Sequence, residues 1–174
     1  MLNLEGNFTP GIEIRMASKT DLWQVRELAL IIFPVTYENM VSAEQVNYMM
    51  ELFYTPGALQ AQYDSGQSFL IMYFKGEAVG FASFTRLNEP GDFKLNKIYL
   101  DGRIQGRGLG RFLLLDVIRR VKSESGRSLQ LNVNRFNKAV GFYSNMGFKV
   151  LKEELLDIGS GHFMDDYVLE LKLI

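Results

Sequence analysis

The clearest chemical signal in the sequence is a glycine-rich segment, Gln105-Gly106-Arg107-Gly108-Leu109-Gly110-Arg111. Its three glycines alternate with other residues, which leaves much of the backbone without side-chain cover, and glycine adopts positive φ without penalty. The segment therefore predicts a turn that directs several N–H groups toward one point. The apolar spacing from Leu109 to Val121 predicts a helix, whose N-terminal end adds positive charge. Together these features indicate a binding site for a phosphate or pyrophosphate, formed by the amides from Gly106 to Arg111.

Two other phosphate-binding motifs do not fit this segment. A dinucleotide-binding fingerprint counted from Gly106 needs a third glycine at the position of Arg111. A mononucleotide-binding loop needs Gly-Lys-Ser or Gly-Lys-Thr, and neither follows. A tight strand-to-helix turn without a ligand stays open as the plain structural alternative. The side chains of Arg107 and Arg111 either contact phosphate or form a solvated helix start.

A strand is predicted immediately before this turn. Residues 93–97 alternate apolar and polar side chains, and residues 98–100 form an apolar run. The period of two breaks between Lys97 and Ile98, which indicates either burial on both faces or a β-bulge that turns backbone groups away from the ladder.

A second strand and a short helix are predicted after the long helix. Residues 129–134 alternate apolar and polar side chains, as in a half-buried strand. Asn137 is a good N-cap for the helix that follows, and Gly147 is a suitable stop. That helix carries Tyr143, and Phe148 resumes a strand.

This order of elements resembles the GNAT superfamily of acyl-CoA-dependent N-acetyltransferases. The glycine turn is similar to the family's pyrophosphate-binding motif Q/R-x-x-G-x-G/A, through Gln105, Gly108 and Gly110. The later segment is similar to the signature N-x-x-A-x-x-F-Y-x-x-x-G-F. The residues that carry this second similarity are Asn137, Phe142 or Tyr143, Gly147 and Phe148, with Val140 in place of the usual alanine and Ala139 one position before it.

The resemblance implies acetyl-CoA as a co-substrate. It implies that backbone groups of the apolar run pair with the pantetheine arm and polarise the thioester carbonyl, and that Asn137 contacts the cofactor as well as capping its helix. The predicted cofactor-binding residues are Ile98, Tyr99, Leu100, Gln105, Gly106, Arg107, Gly108, Leu109, Gly110, Arg111 and Asn137.

The implied reaction is the attack of an amine on a thioester carbonyl. An amine with a lysine-like pKa is protonated at pH 7, and freeing its lone pair costs about 4–5 kcal/mol. A base, or a desolvating site that lowers the pKa of the amine, must offset this cost. The resemblance implies that Tyr143, in the family's usual tyrosine position, protonates the departing thiolate. A core tyrosine is the alternative interpretation.

The general base is not evident from the sequence. Residues 94–100 hold no carboxylate, although many relatives carry a glutamate on this strand. Candidates are a water relayed by Asn96, Asn132 or Asn134, and the loop acids Glu89 and Asp92. Of Asp165 and Asp166, at most one faces the site, because neighbours in a strand face opposite ways. His162 is interpreted as an exposed structural residue.

The acceptor is expected to enter between residues 33–39, the second predicted helix and the final hairpin. Tyr37 and Glu38 are the predicted acceptor-binding residues. Tyr48 and Glu44 are further groups that could recognise a cation, although Tyr48 also fits a core position. The sequence does not identify the acceptor.

Composition bounds the remaining possibilities. The chain has 174 residues, 47% of them hydrophobic, which suits a single domain over residues 12–174 after a flexible arm of residues 1–11. The net charge of −1 gives no electrostatic footprint for nucleic acid. Absence of cysteine and a single histidine argue against a metal site. Without a signal peptide or a membrane-length apolar run, a cytoplasmic protein is expected, and a homodimer stays open.

The predicted fold class is α/β (α+β), with a mixed, mostly antiparallel central sheet of about six to seven strands and helices on both faces. The resemblance implies that the two central strands splay to admit acyl-CoA. Helices are predicted over residues 21–32, ended by Phe33-Pro34, from Ser42 through Phe53, and over 58–63 after the break at Pro56-Gly57. The predicted function is transfer of an acetyl group from acetyl-CoA to a primary amine of a small molecule or protein. The alternative is a non-catalytic acyl-CoA-binding sensor or interaction module.

Overall fold

The computed structural model describes residues 11–104 and 106–173, which contain seven strands and five α-helices. The strands are β1 (Ile12–Met16), β2 (Ser68–Phe74), β3 (Glu77–Arg86), β4 (Asp92–Leu100), β5 (Ser128–Asn134), β6 (Lys149–Gly159) and β7 (His162–Lys172). The helices are α1 (Leu22–Tyr37), α2 (Ala43–Tyr54), α3 (Pro56–Asp64), α4 (Leu109–Ser123) and α5 (Ala139–Asn145). The predicted arm lies outside the described residues except for Gly11, and so does Gln105.

All seven strands belong to one sheet in the order β1-β2-β3-β4-β5-β7-β6. Neighbouring strands are antiparallel except β4 and β5, which run parallel because α4 crosses over between them. The predicted fold class, a mixed and mostly antiparallel sheet with helices on both faces, is confirmed.

One face of the sheet is covered by α4 and α5. Leu109, Leu113, Val117 and Val121 recur at helical spacing along α4 and are at most 4% exposed. They pack in one core cluster with the inward residues of the central strands, including Phe93, Leu95, Leu129 and Leu131. Burying each large aliphatic side chain contributes about 1.5–3 kcal/mol, so this stripe fixes α4 and its N-terminal turn on the sheet.

The opposite face is covered by α1, α2 and α3. Their buried side chains form a second core cluster with Phe69, Ile71 and Phe81 of β2 and β3. The side chain of Tyr99 from β4 joins this cluster, and its ring packs 5.5 Å from that of Phe81. The two faces of β4 therefore contribute to two separate cores.

The predicted break of the first helix at Phe33-Pro34 is wrong, because α1 continues to Tyr37. Pro34 cannot donate the backbone hydrogen bond of a helix interior, which is a real cost. Phe33 and Tyr37 are both buried, with ring centroids 4.5 Å apart, and continuation of the helix is what places both rings in the core. The hydroxyl of Thr36 also donates to the carbonyl of Ile32 at 2.8 Å.

The third helix begins two residues before its predicted start. Pro56 and Gly57, interpreted as a break, form the first turn of α3, and Thr55 is the N-cap whose hydroxyl accepts from the amide of Ala58 at 3.2 Å. Proline suits the first position of a helix, because the amide that it lacks has no intrahelical partner there. Pro and Gly, interpreted from the sequence as a break between helices, thus form the beginning of α3.

A β-bulge interrupts β4 at Asn96. Ser83 of β3 pairs with Lys97, whereas its neighbour Phe84 pairs with Leu95, which leaves Asn96 as the extra residue. The break in strand period is therefore a bulge, one of the two predicted causes. Leu95 and Ile98 both pack in the α4-side core, so Asn96 and Lys97 both lie on the face toward α2.

Candidate active site

β4 and β5 separate in the middle of the sheet. Their pairing runs only from Asp92 opposite Ser128 to Leu95 opposite Leu131, although both strands continue beyond it. Beyond the bulge at Asn96, the strands border an opening of about 190 Å³, here called the strand cleft. The edge of residues 96–100 that faces β5 makes no ladder with that strand, so its backbone groups are available to an extended ligand.

The glycine turn lies where β4 leads into α4. Gly106 and Gly108 adopt φ of +81° and +73°, and an added Cβ at either would meet no heavy atom within 4 Å. Gly108 is the N-cap of α4, so the first amides of this helix have no intrahelical acceptor and point out of its end. The amide of Arg111 already donates to the carbonyl of Gly108 at 3.1 Å. An anion at this turn would meet the amides that precede Arg111.

A larger cleft of about 470 Å³, here called the glycine-turn cleft, joins this turn to the strand opening. Ten of the predicted site residues line it: Ile98, Tyr99, Leu100, Gly106, Gly108, Leu109, Gly110, Arg111, Asn137 and Tyr143. Gly110 lies against Leu100, because a Cβ there would come within 3.3 Å of a Leu100 methyl group. The two clefts share Ile98 to Leu100, Asn137, Ala139 and Tyr143, so they form one path through the centre of the sheet.

Three other predicted site residues, Arg107, Tyr37 and Glu38, do not line the glycine-turn cleft. The guanidinium of Arg107 lies over the ring of Phe74, 5.7 Å from its centroid, and Arg107 does not line the glycine-turn cleft. Tyr37 lines the strand cleft, and its hydroxyl lies 3.1 Å from that of Tyr99. Glu38 is exposed just after the end of α1 and lines neither cleft.

Tyr143 lies where the two clefts meet. It is 7% exposed, and its ring packs against Phe142 and Phe148 of the α5 region. Burial, with a smaller contribution from nearby Tyr37, raises the pKa of the Tyr143 phenol. The hydroxyl is therefore neutral at pH 7 and can donate a hydrogen bond into the cleft.

The N-cap of α5 is Lys138, one residue after the predicted Asn137, but Asn137 still stabilises the start of the helix. Its side-chain oxygen accepts a hydrogen bond from the amide of Ala139 at 2.8 Å. This bond satisfies one of the first amides of the helix, and Asn137 lines both clefts.

Lys97 is a buried cation in the strand cleft that the sequence did not single out. Its side chain is 8% exposed, and its ammonium lies 5.8 Å and 5.5 Å from the ring centroids of Phe53 and Tyr54. Burial lowers the pKa of Lys97 to about 8. The bulge causes this placement, because it directs Lys97 toward the α2 face.

Of the two acids of β7, Asp166 lies on the α1–α2 side of the sheet, although neither acid lines the strand cleft or the glycine-turn cleft. Asp166 is 4% exposed and lies on the same face as Met164, which packs under α1 and α2. Its neighbour Asp165 instead accepts a hydrogen bond from Arg135 at 2.6 Å. Burial raises the pKa of Asp166 to about 6, against the opposing effects of Asn132 and Lys94.

A sequence signal for Asp166 existed. Met164, Asp166 and Val168 share one parity in β7, and both apolar members are buried. An acid between two core positions of a strand must face the same side as they do. No comparable signal marks Lys97, since its burial depends on a bulge that the sequence predicted only as one of two alternatives.

Residues 11–104 and 106–173 contain neither a cluster of metal-ligating side chains nor a membrane-spanning helix. No group of three or more His, Asp or Glu side chains in this part of the chain is placed to hold a metal ion. No helix in the same part is long and apolar enough to cross a membrane. The predicted absence of a metal stays a prediction.

Two curated relatives are similar to part of the chain. The peptidyl-lysine N-acetyltransferase YjaB of Salmonella typhimurium is 33% identical over 98 residues, covering 52% of this chain and 64% of that protein. The peptidyl-lysine N-acetyltransferase YjaB of Escherichia coli is 30% identical over 109 residues, covering 58% of this chain and 71% of that protein. The match thus spans less than two thirds of the Salmonella relative's length.

A solved structure and a family match extend the comparison to most of the chain. The PaiA N-acetyltransferase of Thermoplasma acidophilum, crystallised in complex with coenzyme A, superposes with a TM-score of 0.77 and 25% identity, covering 92% of this chain and 98% of that one. The family described as an acetyltransferase (GNAT) domain matches residues 38–164, well over half of the chain. The predicted family is therefore confirmed, and the chain belongs to the GNAT acetyltransferases.

Proposed function

We propose that this protein is an N-acetyltransferase that moves the acetyl group of acetyl-CoA to a primary amine by direct attack on the thioester. The observation that carries the proposal is the continuous path from the glycine turn, through the separated edges of β4 and β5, to the hydroxyl-bearing ring of Tyr143. A non-catalytic CoA-binding protein would need the turn but not a neutral hydroxyl directed to the point where the strands open.

The glycine turn is proposed to hold the pyrophosphate of acetyl-CoA. The exposed amides at the start of α4 and the positive end of its dipole favour an anion. Open space at Gly106 and Gly108 allows the backbone to approach it closely. Arg111 lines the same cleft and adds positive charge. Arg107 is expected to contribute less, because its guanidinium lies over Phe74.

The pantetheine arm is proposed to lie along the edge of Ile98 to Leu100. This edge makes no ladder with β5, so its amides and carbonyls can pair with the amide groups of the arm. An amide from the same edge is proposed to polarise the thioester carbonyl, as in other oxyanion-stabilising sites. Asn137 lines the same cleft, and its side-chain NH₂ group is proposed to contact the same arm.

The chemical step needs a donor for the departing sulfur. As the amine nitrogen bonds to the carbonyl carbon, the C–S bond breaks and the thiolate of CoA must gain a proton. Tyr143 is proposed to donate that proton, because its hydroxyl is neutral at pH 7 and lines both clefts. A positioned general acid contributes about 10²–10⁴-fold to such a step.

The acceptor is proposed to approach from the face of α1, α2 and the β6–β7 hairpin. The hydroxyl of Tyr48 donates to the carbonyl of Ile158 at 2.7 Å, and Gln45 donates to that of Phe163 at 2.6 Å, so α2 is tied to the hairpin. The names of the two curated relatives make a peptidyl lysine the first acceptor to test. Tyr37 and Glu38 remain the proposed acceptor contacts.

Acetyl-CoA binding and acetyl transfer are tested in two steps. Acetyl-CoA at a hundredfold excess over its dissociation constant should raise the free energy of unfolding by about 2.7 kcal/mol, whereas NAD and ATP should do much less. Mass spectrometry should then detect transfer to lysine peptides or small amines. A thermal shift with NAD and none with acetyl-CoA would refute the donor, and binding without transfer to any amine would favour the non-catalytic alternative.

A further inference from the structure

Two buried side-chain oxygen atoms that belong to strands of the sheet have no hydrogen-bond donor within the described residues. They are Oδ1 of Asn96, at the bulge of β4, and Oδ1 of Asp166, in β7. A buried acceptor without a donor costs free energy, more so when it carries charge. Both atoms therefore favour a ligand that brings hydrogen-bond donors.

The fold brings these two residues to the same polar part of the sheet. Asp166 lies opposite Asn134 of β5 and Glu154 of β6. Asn132, two residues before Asn134, lines the strand cleft together with Asn96 and donates to Glu154 at 3.0 Å. Asn96 and Asp166 thus flank the open end of β5 from either side.

Within residues 11–104 and 106–173, Asp166 forms no salt bridge, and the side chain of Asn132 is the hydrogen-bonding neighbour that favours its carboxylate. Lys94 of β4 lies near enough to favour its ionised form, whereas Glu154 of β6 and Asp165 of β7 oppose it. Tyr37 of α1 faces the same carboxylate, and Lys97 of β4 lies on the same side of the sheet. Lys94 forms no salt bridge with Asp166, so the site keeps a free acceptor for a proton.

We infer that Asp166 is the proton acceptor for the incoming amine and that Asn96 Oδ1 helps to hold the same ammonium group. This inference rests on the proposed acetyl transfer. A primary ammonium has three N–H donors, which suits two orphan oxygens, and Asp166 accepts its proton directly or through one water molecule. Asp166 thereby supplies the base that β4 lacks.

The protons balance through the cycle. The acceptor R–NH₃⁺ gives its first proton to the Asp166 carboxylate, and the free amine bonds to the carbonyl carbon. When the C–S bond breaks, Tyr143 protonates the sulfur, and the second proton of the nitrogen restores the Tyr143 hydroxyl. Asp166 releases its proton to solvent, which gives the amide, CoA–SH and one proton in total.

The test compares Asp166→Asn with Asp165→Asn in the full chain, with acetyl-CoA and a lysine peptide. Asp165→Asn changes the adjacent residue on the opposite face and is expected to keep its turnover. Asp166→Asn should lower kcat at pH 7 by about 10²-fold or more. Wild-type kcat should be level above about pH 7, whereas kcat of the variant should keep rising with pH, because hydroxide or bulk water must remove the proton.

A second acceptor separates proton transfer from a structural role. With an amine whose pKa lies below the assay pH, the nitrogen is already neutral, so the loss caused by Asp166→Asn should shrink to a few-fold. A structural defect would instead lower turnover equally with both amines and at every pH. Asn96→Ala should raise KM for the lysine peptide about tenfold, in line with loss of a hydrogen bond to a charged group.

Three results have distinct meanings. Normal turnover and a normal pH profile for Asp166→Asn would overturn the assignment of Asp166 while leaving acetyl transfer intact. An equal loss with both amines would also overturn it, in favour of a structural role. A wild-type protein that binds acetyl-CoA but acetylates no amine would refute the proposed function, and the inference with it.

Discussion

The hydroxyl oxygens of Tyr37 and Tyr99 lie 3.1 Å apart and join the last turn of α1 to β4, where β4 has left β5. Tyr37→Phe removes one partner of this buried bond and should lower the free energy of unfolding by about 1–3 kcal/mol. A double-mutant cycle with Tyr99→Phe, measured by denaturant unfolding, gives the coupling free energy between the two hydroxyl groups. Additive effects of the two substitutions would show that the bond does not couple α1 to β4.

Tyr143→Phe tests the proposed acid. The substitution keeps the ring that packs against Phe142 and Phe148 and removes only the hydroxyl. We expect kcat to fall by about 10²–10⁴-fold, with little change in acetyl-CoA affinity, because the interaction develops in the transition state. Turnover kinetics and calorimetry measure the two quantities. Turnover within about threefold of wild type, with chemistry rate-limiting, would remove Tyr143 from the mechanism.

Gly108→Val should abolish tight binding of acetyl-CoA. The side chain would occupy open space at the start of α4 and would strain a residue held at φ of +73°. Gly66→Val is a matched control, because Gly66 has φ of +97° and equally open surroundings. Both variants should lose comparable stability by circular dichroism melting, but only Gly108→Val should lose the acetyl-CoA thermal shift. Normal CoA affinity in Gly108→Val would mean that the pyrophosphate does not bind at the glycine turn.

Asp166→Asn should increase stability while it lowers turnover. The pKa of Asp166, about 6 in the folded protein, lies above the ordinary carboxyl value of 3.8, so the folded state holds this proton more tightly. Wild-type stability therefore falls as pH rises from about 4 to 6, and this contribution is absent in the variant. At pH 7 we expect a gain of about 1 kcal/mol in denaturant unfolding, after allowance for solvent screening. A loss of stability at pH 7 would mean that the carboxylate has a stabilising partner.

Lys97→Met should also increase stability at neutral pH. The pKa of Lys97, about 8 rather than 10.5, means that the charged form is disfavoured in the folded protein. Wild-type stability should rise as pH increases from about 8 to 10.5, so the advantage of Met, about 1–3 kcal/mol, should disappear across that range. Lys122→Met, at an exposed position of α4, is the control. Its stability relative to wild type should not change between about pH 8 and 10.5. An advantage that persists at pH 10.5 would come from packing rather than charge.

Local sequence patterns determined the parts of the site that depend on local backbone geometry. Alternate glycines require positive φ and open space, and both are found at Gly106 and Gly108. Asn137 stabilises the start of α5, although Lys138 is the N-cap, because the side-chain oxygen of Asn137 accepts from an amide two residues away. Asn137 and Tyr143 are six residues apart, which does not place them on one helical face, so only the structure shows that both line the same cleft.

Only the tertiary structure decided the parts that depend on contacts distant in sequence. α1 runs through Pro34, which keeps the Phe33 ring 5.6 Å from that of Tyr99 and the Tyr37 hydroxyl 3.1 Å from the Tyr99 hydroxyl. This packing outweighs a local signal to stop. The strand period predicted that at most one acid of β7 faces the site. The strands and loops packed against β7 determine that Asp166 is buried beside Asn132 and that Asp165 accepts a hydrogen bond from Arg135. The separation of β4 from β5 likewise depends on where pairing between two distant segments ends. The sequence determines which side chains share a face of a strand. The burial of those side chains and the shifts in their pKa depend on the residues that the folded chain places around them.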